Sequence, residues 1–314
     1  MIMNLPETIF HALAGIGVLL IVASIITWIL TRLKPDKDLT ELVLRIKSWW
    51  VMAGIFSLAI ILDQKVSLFF LGFVSFIAFK EYLSLIPTRR ADRRVLLLAY
   101  LAIPVQYYLI GIGWYGLFII FIPVYMFLLI PMRMVTIGST DGFLKAAGTI
   151  HWGLMTTVFS VGHAAYLLVL PAAGNPGAGG AGLLLFLVFL TQFNDVAQFV
   201  WGKTIGHTKV VPTVSPGKTR GGLLGGLATT IVLAALLGPW LTPMSLLHSI
   251  AAGVIIGLGG FLGDVSISAV KRDVGSKDSG QLLPGHGGIL DRIDSLTFTA
   301  PLFFHFIQYL YYGQ

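Results

Sequence analysis

The sequence predicts an all-α, polytopic integral membrane protein with about eight to ten transmembrane helices, and two observations support this fold class. Of its 314 residues, 56% are hydrophobic and only 11% are charged, whereas a soluble globular domain carries about 25% charged residues. The apolar residues also form long runs, close to the roughly 20 residues that a helix needs to cross a bilayer. The absence of cysteine excludes disulfides, thiolate metal sites and a cysteine nucleophile.

Ten apolar segments are candidate transmembrane helices. They cover residues 9–30, 49–64, 66–86, 95–112, 114–131, 150–170, 182–201, 222–240, 247–268 and 294–312. Several are short, and only residues 63–65 separate the second segment from the third, so the count is eight to ten. Charged motifs concentrate in the second half. We therefore divide the chain into N-terminal transmembrane helices, 1–149, and a C-terminal transmembrane region, 150–314, which carries the dense polar motif of residues 264–294.

The distribution of Lys and Arg orients these spans. Nearly all of them lie in five loops, at residues 31–48, 87–94, 132–149, 202–221 and 269–293. With ten spans, all five loops lie on one side, which the positive-inside rule identifies as cytoplasmic, and both termini lie outside. The net charge of +7 is then explained by topology and by attraction to anionic lipid or nucleotide, rather than by binding of nucleic acid.

Two carboxylates, Asp195 and Asp264, lie inside apolar segments, where a charge is costly and marks a function or a buried partner. Each lies seven or eight residues before the first Lys of a basic loop, or roughly 10 Å at 1.5 Å rise per residue. We expect both at a similar depth on the cytoplasmic side, facing one cavity. Asn194 and Gln198 make the first helix face polar, which favours that cavity. The alternative is that each acid pairs with a Lys or Arg only to hold the helices together.

The loop 202–221 contains Gly217-Lys218-Thr219, which is similar to the end of a P-loop. That motif needs an earlier glycine where this chain has Pro212, and it needs a parallel sheet, so we reject it. What remains is a set of small residues, hydroxyls and cations before a helix that begins near Gly222. Backbone N–H groups and Lys218 could hold a phosphate there. The alternative is a basic cytoplasmic turn.

The loop before the last apolar segment gathers many charges. Asp291 and Asp294 are three residues apart and share one helix face. A helix cap or a stabilising acid in the first turn explains one of them. It does not explain the other polar residues of the loop: Lys271, Arg272, Lys277, Asp278, His286 and Arg292. A carboxylate pair from two helices, Asp264 and Asp291, would suit Mg²⁺, which binds through one or two carboxylates plus substrate phosphates.

The 27 residues from Ser268 to Asp294 resemble the signature of the phosphatidate cytidylyltransferases (CDP-diglyceride synthetases). Every specified position fits the pattern Ser268-x-Val270-Lys271-Arg272-x4-Lys277-Asp278-x-Gly280-x2-Leu283-Pro284-x-His286-Gly287-Gly288-Ile289-x-Asp291-Arg292-Ile293-Asp294. Two further stretches are similar to that family, in the expected order: Asn194-Asp195-x-Ala197 and Ser215-Pro216-x-Lys218-Thr219. The resemblance covers about residues 190–300, and the first half shares only a general pattern of apolar spans.

The resemblance implies a reaction in which a phosphate oxygen of phosphatidate attacks the α-phosphorus of CTP, giving CDP-diacylglycerol and pyrophosphate in phospholipid biosynthesis. It makes 150–314 the catalytic region. It implies Mg²⁺ held by Asp264 and Asp291, with a second cation such as K⁺, and a homodimer. The expected partners are CTP, phosphatidate and membrane lipids, and the expected location is the bacterial inner (cell) membrane with the site facing the cytoplasm.

The same resemblance assigns roles to the remaining polar residues. Contacts to phosphates are expected from Ser215, Lys218, Thr219, Lys271, Arg272, Lys277 and Arg292. Ligands or the loop are expected to be oriented by Asp195, Asp278, His286 and Asp294.

The chain departs from the family pattern at three positions. Arg220 and Gly221 stand where many members have Trp and an acidic or amide residue, and Ile267 stands where many have an acid. These changes leave open a divergent paralogue acting on another phospholipid acceptor.

Functions of other classes also remain open. A transporter would need a charge path through the membrane and paired broken helices, whereas the polar residues here cluster at one face of one half. A CDP-alcohol phosphotransferase needs residues around an Asp-Gly pair that Asp141-Gly142 lacks. The last alternative is a non-catalytic membrane protein that binds CTP without turnover.

Overall fold

The computed structural model describes residues 5–33, 38–280 and 287–313, and almost all of this described part is helical. Its α-helices are α1 Glu7–Leu33, α2 Thr40–Leu62, α3 Gln64–Leu85, α4 Arg93–Gly111, α5 Tyr115–Ile120, α6 Phe127–Val135, α7 Phe143–Leu154, α8 Ser160–Leu167, α9 Gly179–Thr204, α10 Arg220–Leu241, α11 Leu246–Asp273, α12 Leu290–Ile293 and α13 Leu296–Ile307. These residues form no strand, and an isolated bridge pairs Lys209 with Thr219. The predicted all-α fold class is confirmed.

Eight helices in the described residues are long and apolar enough to span a membrane. They are α1 to α4, the continuous helix Tyr115–Val135 that joins α5 to α6, and α9 to α11. This count is the lower end of the predicted eight to ten. The other two predicted segments, 150–170 and 294–312, are also largely helical, and they contain π-helical turns at Met155–Phe159 and Gln308–Tyr312, as the helix Tyr115–Val135 does at Phe121–Met126.

The core forms around α8, all eight residues of which are buried. This helix packs against α3, α4, α9 and α13. Aromatic rings from three segments meet beside it: the ring centroid of Phe118 lies 4.8 Å from that of Tyr166, which lies 5.4 Å from that of Phe304. Because lipid tails are as apolar as these side chains, close van der Waals packing rather than the hydrophobic effect holds such helices together.

Small residues at every fourth position of α10 let its neighbours approach closely. The buried residues of this helix are Gly222, Gly226, Thr230, Ala234, Gly238 and Leu241. A Cβ on Gly226 would lie 2.4 Å from Gln198 Cγ on α9, and one on Gly238 would lie 2.1 Å from Ser249 Oγ on α11. This is the small-residue packing typical of membrane helices, and it draws α9, α10 and α11 into one tight unit.

Contacts also cross the predicted division at residue 149, since α3 packs against both α8 and α12. The division itself stays a prediction. Helix α3 of the first half nevertheless packs against α12, which carries Asp291.

Candidate active site

Lys218 joins the two carboxylates that lie inside apolar helices. Its Nζ is 2.5 Å from Asp264 Oδ2 on α11 and 4.0 Å from Asp195 Oδ1 on α9. It also donates a hydrogen bond of 3.1 Å to Gln198 Oε1. The structure therefore brings Asp195 and Asp264 together through Lys218, a pairing that the alternative also expected, and their shared cavity stays a prediction. We call Asp195, Lys218 and Asp264 the Lys218 cluster.

Glycines on α11 make this meeting possible. A Cβ on Gly263 would lie 2.5 Å from the backbone oxygen of Asp294, and one on Gly260 would lie 2.9 Å from Asn194 Nδ2. Real Cβ atoms do not approach other atoms so closely. The face of α11 that Gly260 and Gly263 form thus packs directly against the start of the last helix and against α9.

The loop between α9 and α10 places Lys218 in the cluster. The amide of Lys218 donates to Ser215 O at 3.1 Å, which closes a turn, and the amide of Val210 donates to Lys218 O at 3.1 Å. Thr219 then caps α10, its Oγ1 accepting from Gly222 N at 3.1 Å. The predicted helix start near Gly222 is confirmed. The loop is a folded turn that aims Lys218 back toward the helices.

The Lys218 cluster leaves hydrogen-bonding capacity unused. Asp195 Oδ2 accepts from Ser295 Oγ at 2.8 Å, but its Oδ1 is buried without a hydrogen bond among the described residues, although the side chain as a whole is 32% exposed. Asp264 Oδ1 accepts only a longer bond of 3.2 Å from Ser268 Oγ. Burial acts to lower the pKa of Lys218, but the charges of Asp264 and Asp195 outweigh it and raise that pKa.

A second lysine, Lys271, holds Asp291 in a complete set of hydrogen bonds. Lys271 Nζ lies 2.7 Å from Asp291 Oδ1. Asp291 Oδ2 accepts from the amide and the hydroxyl of Ser279, both at 2.9 Å, and from Gly288 N at 3.0 Å. Burial acts to raise the pKa of Asp291, but Lys271 and the two amides together hold it below its usual value. We call Lys271, Ser279, Gly288 and Asp291 the Lys271 cluster.

Asp294 connects the two clusters. Its side chain is buried, and the charges of Asp264, Asp195 and Lys271 all act on it. Arg292 is close enough to act on Asp195, and its buried Nε has no hydrogen-bond partner in the described part of the chain. The two clusters are therefore neighbouring parts of one charged site.

The other predicted residues take varied places. Arg272 donates to Val214 O at 3.3 Å and to Ser276 O at 3.2 Å, which ties the end of α11 to the loop that holds Lys218. Lys277 and Asp278 are exposed, and His286 lies outside the described residues. Ser215 and Thr219 shape the turn and the cap described above.

Asp264 and Asp291, predicted as joint metal ligands, each pair with a different lysine, and their pairing around one ion stays a prediction. In the described part of the chain, no group of three or more His, Asp or Glu side chains is placed to hold a metal ion, and Lys218 lies between Asp195 and Asp264. The buried, unbonded Oδ1 of Asp195 beside Asp264 is nevertheless the kind of oxygen ligand that suits Mg²⁺.

Sequence reasoning missed Glu81 on α3. Its Oε1 accepts from Ile289 N at 3.0 Å and its Oε2 from Leu290 N at 2.8 Å. The signal was the same as for Asp195 and Asp264, an acid within an apolar segment. Glu81 lies near the end of that segment beside Lys80, where charges are common, so its position alone does not distinguish it.

Comparison with known proteins identifies the family. The sequence pattern of the cytidylyltransferase family matches residues 43–310. The chain is 48% identical over 301 residues to the uncharacterized protein YnbB of Escherichia coli (strain K12), covering 96% of this chain and 99% of that one.

Relatives named for an activity match a shorter region. The phosphatidate cytidylyltransferase of Synechocystis is 44% identical over 118 residues, or 37% of this chain and 40% of that protein. The chloroplastic phosphatidate cytidylyltransferase 4 of Arabidopsis thaliana is 46% identical over 115 residues, or 36% and 29% of the two chains. Each of these matches covers less than half of the relative, whereas the family pattern covers most of this chain. The chain belongs to the cytidylyltransferase family and is a membrane-embedded nucleotidyltransferase.

Proposed function

We propose that the protein transfers the cytidylyl group of CTP to phosphatidate, giving CDP-diacylglycerol and pyrophosphate. The observation that carries the proposal is the Lys218 cluster, in which two carboxylates from separate membrane helices meet one lysine beside a second lysine–aspartate pair. Family membership supports cytidylyl transfer, and the names of the partially matching relatives support phosphatidate as the acceptor.

The reaction needs charge control more than acid–base chemistry. A phosphate oxygen of phosphatidate is already an anion, so it forms the new bond to the α-phosphorus of CTP without a strong general base. The bond from that phosphorus to the bridging oxygen breaks, and pyrophosphate leaves. The two substrates repel each other, so catalysis consists of in-line positioning and neutralisation of charge.

Residues of both clusters can supply that neutralisation. We propose Asp264 and Asp291 as ligands of Mg²⁺, with the unbonded Oδ1 of Asp195 as a further candidate. When bound, the ion would neutralise phosphate oxygens and draw the two anionic substrates together. Lys218 and Arg292 would then hold phosphate oxygens from the protein side. A second cation such as K⁺ stays a prediction.

The further predicted contacts belong to the same proposal. Phosphates would also be held by Ser215, Thr219, Lys271, Arg272 and Lys277, and ligands or the loop would be oriented by Asp195, Asp278, His286 and Asp294.

The membrane setting fits a reaction between a lipid and a water-soluble nucleotide. We propose that the site opens to the cytoplasm, because the basic loops lie at its end of the helices. The bacterial inner membrane and a homodimer remain predictions of the sequence resemblance.

A different phospholipid acceptor is the second candidate, and Gly221 is the observation that favours it. A Cβ on Gly221 would lie 2.8 Å from Ile205 O and 3.1 Å from its carbonyl carbon. Larger residues at this position would therefore require the turn after α9 to move, while Arg220 beside it is exposed. The edge of the site thus differs at Arg220 and Gly221 from the pattern of the phosphatidate cytidylyltransferases.

The test uses purified full-length protein in mixed micelles with labelled CTP, phosphatidate and Mg²⁺. Lipid-soluble cytidine product is measured for the wild type, for Asp264→Asn, and for Asp273→Asn as a matched control, because Asp273 is an exposed acid on the same helix. We expect product from the wild type and the control and none from Asp264→Asn. A folded wild type that binds CTP but makes no product would overturn phosphatidate as the acceptor, and a panel of other anionic lipids then tests the second candidate.

A further inference from the structure

We propose that Glu81 is a positioning residue of the active site, which orients Asp291 from α3 in the first half of the chain. The inference rests on the proposed function. It assigns to Glu81 no contact with substrate. Its carboxylate instead fixes the backbone of the turn that carries Asp291.

Glu81 accepts hydrogen bonds where α12 begins. Its two oxygens accept separately from the amides of Ile289 and Leu290, at 3.0 and 2.8 Å. The first amides of a helix have no partner within the helix, so Glu81 supplies acceptors from another part of the fold. Its negative charge is also favourable at this end of a helix. The carboxylate therefore determines where the first turn of α12 lies, and Asp291 lies in that turn.

The side chain of Ser279 lies between those of Glu81 and Asp291. The Ser279 hydroxyl lies 2.9 Å from Asp291 Oδ2 and 3.3 Å from Glu81 Oε2. A serine hydroxyl donates only one proton, and the shorter distance favours donation to Asp291. Ser279 is almost fully buried, so it is held between two carboxylates from opposite halves of the sequence.

Gly280 and Gly288 carry no side chain, so their backbone can approach Glu81 this closely. A Cβ on Gly288 would lie 2.4 Å from Glu81 Oε2, and one on Gly280 would lie 3.0 Å from Oε1. No ion pair to Glu81 occurs among the residues that the structure describes. Glu81 thus accepts from two backbone amides, groups with fixed directions, which suits positioning better than charge balance alone.

The experiment compares Glu81→Gln with Glu41→Gln. The first variant keeps the shape of the side chain but replaces one acceptor oxygen with an NH₂ group, which leaves the amide of Ile289 or of Leu290 without its acceptor. The second removes the same charge from an exposed site on α2, where Glu41 pairs with Arg45. Loss of a residue that orients a metal ligand, the role proposed for Asp291, typically costs about 10–100-fold in activity. We expect a fall of that size in kcat for Glu81→Gln, little change in KM for CTP, and wild-type values for Glu41→Gln.

Two further readouts separate positioning from stability alone. Hydrogen exchange of the amides of Ile289 and Leu290 should be faster in Glu81→Gln and unchanged in Glu41→Gln. The variants Glu81→Gln and Ser279→Ala should also be non-additive in kcat, since Glu81 holds the turn that carries Asp291 and Ser279 bonds to the carboxylate of Asp291 itself. A kcat within about twofold of wild type, or unchanged exchange at these amides, would overturn the proposal.

The two proposals can fail separately. If the wild type makes no CDP-diacylglycerol, the proposed function fails, while hydrogen exchange still decides whether Glu81 holds the start of α12. If the wild type is active and Glu81→Gln keeps its kcat, only the positioning role is overturned.

Discussion

The two lysine-centred clusters use the same residue types but differ in how completely their carboxylates are bonded. In the Lys271 cluster, Asp291 receives Lys271 and three further hydrogen-bond donors. In the Lys218 cluster, Asp264 receives Lys218 and one long bond from Ser268, and Asp195 Oδ1 receives no hydrogen bond from the described residues.

This difference indicates a division of roles. A fully bonded oxygen such as Asp291 Oδ2 cannot change partners without leaving buried donors unpaired, which is costly, so the proposed ligand role of Asp291 would fall to Oδ1, which accepts from Lys271. A carboxylate with unused capacity can accept a new partner at little cost. We therefore interpret the Lys271 cluster as the rigid part of the site and the Lys218 cluster as the part that exchanges contacts when substrates bind.

Replacing each lysine with methionine should have the largest effect and should separate the clusters. Lys218→Met leaves two acids without their nearest cation, and breaking a buried pair in this way costs up to about 3–5 kcal/mol. Lys271→Met leaves Asp291 with three neutral donors, so its cost should be smaller. Thermal unfolding in detergent and the rate of product formation measure both effects.

A double variant and a control make this test sharper. Lys218→Met with Asp264→Asn removes one of the two carboxylate charges that Lys218→Met leaves without a cation, so it should regain part of the lost stability without regaining turnover. Lys203→Met, at the exposed end of α9, should resemble the wild type. If Lys271→Met proves at least as destabilising as Lys218→Met, the comparison between the clusters is wrong.

Gly263→Ala should disturb the Lys218 cluster through packing. The added methyl would lie 2.5 Å from Asp294 O, so α11 must move away from the residues that hold Asp195. Overpacking of this kind typically costs about 1–3 kcal/mol, and turnover should fall with stability.

Gly54→Ala on α2 is the matched control, because a Cβ there meets nothing within 4 Å. It should be neutral or stabilise α2 by up to about 1 kcal/mol. Equal unfolding temperatures for the two alanine variants would show that the close approach at Gly263 is not what holds the cluster together.

The sequence predicted those features of the site that follow from the energetic cost of burying an acid and from its spacing to the basic loops. An acid inside an apolar helix requires a partner, and equal spacing from the basic loops placed Asp195 and Asp264 at one depth. Which lysine lies between them depends on the turn that folds Lys218 back, and no periodicity specifies that turn. Glu81 depends on α3 packing against α12, a contact between residues more than 200 positions apart, so pattern within one segment could not reveal it.

The smallest expected effect is the pH dependence that Asp291 contributes to stability. Because the pKa of Asp291 is lower in the folded protein than its ordinary value, about 3.9 in the unfolded chain, its charged form stabilises the fold above that value. This contribution is lost as the pH falls through the lowered folded pKa.

The difference in unfolding temperature between the wild type and Asp291→Asn should thus be largest at neutral pH and should narrow below about pH 4. Asp273→Asn, which removes an exposed acid from α11, is the control for the loss of one negative charge. A constant difference for Asp291→Asn would mean that Asp291 is held by shape rather than by charge, and the Lys271 cluster would then owe its rigidity to the loop backbone alone.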